Sequence, residues 1–179
     1  PDLPGLMDNV LRVSEQMSLY AKEHNMNMTR SYLHFVRTTD GAPAVDDKAL
    51  GFWRMYRYIN NAVGKLVAES PLEAFKTAEA FGLFQGMLSG ITGPRLVETI
   101  PSFHDTRKRF EKLERVAKED KLGRFEASKD VYEAIMEIKP YALALQEAFD
   151  KGEIPERVVH NDAKLSNILL DVNTGNAIC

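Results

Sequence analysis

Disulfides, membrane spans and a strong excess of one charge are all missing from this sequence. Its one cysteine is Cys179, so no internal disulfide is available, and a single thiol is compatible with a reducing compartment. No apolar run approaches the roughly 18 residues of a membrane span. The opening stretch, PDLPGLMDN, has neither the basic nor the apolar region of a signal peptide. A cytoplasmic location is therefore the expectation. The formal net charge of -3 gives no electrostatic reason to expect nucleic acid or an anionic membrane as a partner. Repeats and low-complexity segments are absent, and no two of His24, His34, His104 and His160 stand at a zinc-site spacing.

What is present is enough apolar material for a core, 44% of 179 residues with 27% charged, and one polar constellation that carries chemistry. The stretch VVHNDAKLSNILLD, Val158 to Asp171, places Asn167 five residues after Asp162 and runs at once into the apolar Ile168 to Leu170. Both polar side chains are therefore expected on a turn that feeds a buried strand. Phosphoryl transfer needs such a pair: a carboxylate to take the attacking hydroxyl's proton, and an amide oxygen to help hold the metal that bridges the phosphates. Asp162 fits the first role and Asn167 the second. Lys164 would extend from the same loop toward the transferred phosphoryl, where an ammonium stabilises developing negative charge. His160 is expected to pack and orient the loop. The plainer alternative is a polar turn between short strands, where Asn, Asp and Ser tolerate tight backbone geometry.

The spacing His-x-Asp-x-x-x-x-Asn followed by an apolar strand resembles the catalytic loop of the aminoglycoside phosphotransferase and choline kinase superfamily, small-molecule kinases with a protein-kinase-like fold. Within that superfamily the chain is similar to N-acetylhexosamine 1-kinases. The similarity is carried by GFWRMYRYINNAVG at Gly51 to Gly64, ETIPSFHDTRKRF at Glu98 to Phe110 and VVHNDAKLSNILLDVNTGNA at Val158 to Ala177. The resemblance implies ATP and Mg2+ as cofactors and a sugar or other small alcohol as substrate, with the oligomeric state left open. An aminoglycoside, choline or homoserine kinase would keep the same loop. A degenerate kinase-like domain or helical interaction module is the non-enzymatic alternative.

Departures from the pattern are equally plain. Kinases of this fold carry a phosphate-covering loop and a strand lysine before their first long helix, and a second metal-binding Asp after the catalytic-loop hairpin. None of the three is visible. The expectation is an internal fragment of a longer kinase, inactive by itself: an α+β, mainly helical, partial protein-kinase-like fold. It would comprise a helix-plus-hairpin remnant of the small lobe over residues 1–60, a hinge near 58–61, and a helical large lobe over 61–179 that ends in the catalytic loop.

Element by element, Leu6, Val10, Val13, Met17 and Tyr20 are spaced for a helix from about Leu6 to Lys22, with Pro4 in its first turn. Under the kinase resemblance Glu15 is the acidic residue on this helix to pair with the strand lysine. Strands are predicted over Tyr32 to Thr38 and Phe52 to Ile59, forming a hairpin around a loop, DGAPAVDDKALG. Backbone groups of Tyr58, Ile59 and Asn60 would then meet the adenine edge. Ser70-Pro71-Leu72-Glu73 is a strong helix start. The helix it opens, to about Leu88, is apolar on more than one face and expected to be buried, with Gly82 and Gly86 permitting close approach of another helix. Ser102 with Asp105 should cap a helix to about Glu119. The stretch from Arg107 to Arg124 holds eight Lys or Arg against four Asp or Glu, interspersed as on a solvated face. Ser128 should cap a long helix kinked at Pro140, with Val131, Ile135, Ile138, Ala142, Leu145 and Phe149 as its core face. His104, in SFHDT, is a second histidine to test beside a bound sugar, the plainer and favoured reading being a capping-region histidine without a catalytic role.

Overall fold

The structure, a computed structural model, describes residues 2–179. It is α+β and mainly helical. Two compact units are present: one comprises residues up to Thr99 together with Val158–Cys179, the other Ile100–Arg157.

The first unit opens with α1, Leu3–Glu23, longer at both ends than its apolar spacing predicts. The Asp2 carboxylate accepts from the Gly5 amide at 2.9 Å, and this cap starts the helix three residues early, with Pro4 in the first turn. One side of α1 buries Met7 and Ala21. Its polar residues hold the segment after the next long helix: the Asn9 amide exchanges two 2.8 Å bonds with the backbone of Val97, and Arg12 donates to the Pro94 carbonyl at 2.7 Å.

The predicted hairpin forms, but differently. Its outer ladder is only β1, Phe35–Val36, antiparallel to β4, Met55–Tyr56. Inside it lies a second hairpin of β2, Val45–Asp47, with β3, Gly51–Trp53. Thus β2 falls in a stretch expected to be loop. The reason is turn chemistry: the Asp47 carboxylate accepts from the amides of Ala49 and Leu50, and Gly51 takes φ +89°, so a tight turn closes and its flanks pair. Strand β5, Ala62–Val63, pairs antiparallel with β6, Leu170–Asp171, which returns from the far end of the sequence.

Helix α2, Pro71–Leu88, begins as expected. The Ser70 hydroxyl accepts from the Glu73 amide at 3.2 Å, and the Glu73 carboxylate reaches back to the Glu69 amide and to Lys65. Burial does not follow the prediction. Only Thr77, Met87 and Leu88 are buried, while Leu72 and Phe75 are 59% and 63% exposed, because the described residues cover α2 mainly along its α1 side. Gly82 and Gly86 make no close approach either; a Cβ at either would meet open space. The core of this unit is Met7, Ala21, Tyr32, Ile59, Met87, Leu88, Ile168 and Leu170.

The second unit holds α3, Thr106–Glu119, α4, Lys129–Glu137, and α5, Lys139–Asp150. Asp105 caps α3 by accepting from the Lys108 amide at 3.0 Å, and it also accepts from Gln146 of α5 at 3.1 Å. Arg107 pairs with Asp150 at 2.6 Å, and Lys139 of α5 pairs with Glu114 of α3. The predicted single kinked helix is two helices, broken at Ile138. Proline has no amide hydrogen and its ring collides with the carbonyl four residues back, so Pro140 sits in the first turn of a new helix rather than inside an old one. Ser128 does not cap α4; its hydroxyl turns back to the carbonyls of Arg124 and Phe125. Nor is the predicted apolar face a core: Val131 and Leu145 are 57% and 75% exposed, and Phe110 with Leu143 forms the buried centre.

Candidate active site

The candidate site is built by the turn between Val158 and β6. Asn161 takes φ +63°, in the left-handed region that asparagine tolerates better than most residues, and this reverses the chain between His160 and Asp162. A single 3₁₀ turn at Leu165–Asn167 follows, closed by the Asn167 amide on the Lys164 carbonyl at 3.0 Å. The bend and the turn together bring the Asn167 side chain back onto Asp162. Its amide nitrogen donates to the Asp162 carbonyl at 2.8 Å and to carboxylate Oδ2 at 2.9 Å. Lys164 Nζ lies 2.7 Å from the same Oδ2. The Asp162 backbone amide donates to Nδ1 of His160 at 3.3 Å.

Ion pairing with Lys164, then the hydrogen bond from Asn167, hold the Asp162 carboxyl below the ordinary carboxylate range. It is therefore ionised at neutral pH and able to accept a proton. Past the turn, Ile168 and Leu170 are buried, so the loop hangs from an anchored strand.

An element that the sequence reading did not single out locks that strand. Arg30, in the turn after α1, donates from Nη1 to Asp171 Oδ2 at 2.7 Å and from Nη2 to the carbonyls of Asn60 and Asn61 at 2.9 and 3.1 Å. The other Asp171 oxygen accepts from the amides of Asn173 and Thr174. The turn at Asp171 has a local signal in the Asp-x-Asn-Thr-Gly pattern; Arg30 has none, since its partner is remote in sequence. Arg30 first, then the turn amides, bring the Asp171 carboxyl down to about 2. A depressed native value stabilises the fold above the unfolded-state value near 3.8, and that stability is lost as pH falls through about 2. Arg30→Ala should therefore raise the midpoint of acid unfolding by about 0.5 pH unit or more, as followed by far-UV circular dichroism. An unchanged acid limb would remove the ion pair from the account.

A cleft of about 910 Å³ lies beside the loop, between α1, α2 and the segment after β6. Asn167, His160, Arg30 and Asp171 reach it, among mainly apolar neighbours. A smaller pocket of about 590 Å³ is lined by Lys164, Ala163 and the outer side of α2. The remaining predicted residues lie elsewhere. Tyr58 is 80% exposed, the Ile59 side chain is in the core, and the Asn60 carbonyl is engaged by Arg30. Glu15 is exposed on α1, next to Ser14, which lines the larger cleft. His104, in the second unit, stacks edge-on against Phe103 with ring centres 4.7 Å apart.

One turn thus carries a carboxylate, an amide and an ammonium within hydrogen-bonding distance of one another. The model of the APH family, described as a phosphotransferase enzyme family, matches residues 10–179. The chain belongs to this family. The match takes in α1 from Val10 onward, the hairpins, the helices of the second unit and the whole candidate loop, and kinase-type phosphotransfer is the activity that the family indicates.

For the metal such an activity employs, the donor chemistry of the loop is suitable in part. Magnesium takes oxygen ligands and is commonly held by one or two side chains plus substrate phosphates and water. Asn167 gives both of its observed bonds from nitrogen, which leaves its amide oxygen to bind. Among the described residues no group of three or more His, Cys, Asp or Glu is placed to hold a metal ion. No helix among them is long and apolar enough to cross a membrane.

Proposed function

We propose that this chain carries the proton-accepting and part of the metal-binding machinery of an ATP-dependent small-molecule kinase, and that the acceptor is the anomeric hydroxyl of an N-acetylhexosamine. In this reading the residues up to about 60 belong to a small lobe and the rest to a large one. The observation that carries the proposal is the 2.9 Å contact between the Asp162 carboxylate and the Asn167 amide, in a chain of a phosphotransferase family.

Both side-chain contacts of Asp162 fall on Oδ2, so Oδ1 is the oxygen that takes the hydroxyl proton as the acceptor attacks the γ-phosphate. Lys164 holds the carboxylate ionised at rest. It is more than half exposed and can exchange that contact for an oxygen of the moving phosphoryl group, where it offsets transition-state charge. Asn167 orients the carboxylate through nitrogen and presents its oxygen to magnesium. Bound magnesium supplies charge neutralisation on the phosphates. Tyr58 and Ile59 contribute backbone groups to the adenine edge and Asn60 its backbone N–H, its carbonyl being held by Arg30, and Glu15 steadies a lysine beside the phosphates.

The acceptor is testable directly. With ATP and magnesium, the protein should phosphorylate N-acetylglucosamine or N-acetylgalactosamine with a kcat/KM at least about 10²-fold above choline, homoserine or an aminoglycoside. A preference for any of those three would reassign the substrate and leave the transfer chemistry in place. No ATP-dependent transfer to any acceptor would remove the proposal.

A further inference from the structure

His160 is held from the side of α2 in a way that packing alone does not require. Phe81 and Phe84 lie three residues apart, hence on one face of the helix. Both rings meet the imidazole nearly at right angles: centroids 5.2 Å apart at 76° for Phe81, and 5.7 Å apart at 73° for Phe84. Edge-on aromatic contacts are directional, and two of them from one rigid helix fix an imidazole both in position and in rotation. The orientation so fixed points Nδ1 at the backbone amide of Asp162. To accept there, the ring carries its hydrogen on Nε2. Between the two residues stands Asn161 at φ +63°, in the left-handed region that brings the Asp162 amide back toward the imidazole.

We propose that Phe81 and Phe84 are positioning residues for the proton acceptor: they clamp His160, and through its Nδ1 they hold the Asp162 turn at the angle that presents the carboxylate. The clamp works from one side of the turn and the Asn167 amide from the other, so Asp162 is held at its backbone amide, its carbonyl and its carboxylate. Phe81 also lines both the larger cleft and the smaller pocket, which places it on the wall between the two sides of the loop. This inference rests on the reading of Asp162 as proton acceptor.

The test replaces each phenylalanine by leucine, which keeps an apolar side chain but removes the ring. Phe81→Leu and Phe84→Leu should each lower kcat by about tenfold or more, with KM for ATP within about twofold, as expected for a misplaced group rather than lost binding. The His160 ring signal in a 1H–13C spectrum should shift in both variants. Wild-type kcat in folded Leu variants overturns the clamp. Should either variant fail to fold, the decision passes to His160 itself. His160→Asn puts an amide oxygen near the place of Nδ1 and should keep several-fold more kcat than His160→Leu; equal rates for the two overturn the proposal. Asp162→Asn, run alongside, separates the failures. If it retains full turnover, the proton-acceptor reading falls, whatever the phenylalanine variants do. If it is inactive while the folded leucine variants are not, the clamp falls alone.

Discussion

Asp162→Asn should lower the kcat of phosphotransfer by about 10² to 10⁴ while leaving KM for ATP within about twofold. The substitution is nearly isosteric. An asparagine at this position can still accept from Asn167 and can keep the backbone bonds of the turn to His160 and to the Asn167 side chain. What it cannot do is accept a proton from an attacking hydroxyl, or pair electrostatically with Lys164, which lies 2.7 Å from the carboxylate in the resting site. The loss is thus confined to the transition state and should appear in kcat. Steady-state kinetics with saturating acceptor measure it. Unchanged turnover would show that the carboxylate is a structural cap of the turn and not the group that receives the proton.

The largest expected effect on stability comes from beneath the same loop. Leu170 is 2% exposed and sits in β6, paired with Val63 of β5 and bridged to Ala177 on its other side. Neighbours on two sides leave little room for collapse into a space vacated there. Leu170→Ala should therefore cost about 2 to 5 kcal/mol, the transfer of the deleted methyl-bearing carbons plus the cavity they leave. For a chain of this length the same loss lowers the melting temperature by roughly 5 to 15 °C. Urea unfolding of the purified chain gives the free energy and calorimetry the temperature. A change below about 1 kcal/mol would mean that β6 is not packed as described.

How much of this could be read from residues alone depended on how far apart the interacting groups lie in sequence. Two helix starts were legible because a cap is a local device: Ser70 with Glu73, and Asp105 with Lys108, act across three residues; the Asp2 cap of α1 was missed and Ser128 makes none. The Asp162 and Asn167 contact was legible for the same reason, five residues bridged by a bend and a turn. The strands were less so. Ladders of two and three residues leave little alternation to detect, and the Asp47 turn that creates β2 looks in sequence like any acidic loop. Apolar periodicity identified helical faces at Val131 and Leu145 correctly as faces but not as core, since periodicity reports shape and burial needs a neighbour. Pro140 announced a disruption, and only the backbone shows that a new helix starts there. Arg30 lay beyond reach, because nothing near it in sequence announces a partner in the strand after the loop.

The Arg30 fork also has a bearing on the order in which the molecule can assemble. It joins residues 141 positions apart, and between them lies the entire unit Ile100–Arg157, whose own ties, such as Asp105 to Gln146, are shorter. During synthesis that inserted unit can therefore close first, while the pairing of β5 with β6 waits until Leu170 and Asp171 have been made. The turn that bears Asp162 would then gain its fixed shape after that unit, and the edge of β5 would stay uncovered until it did.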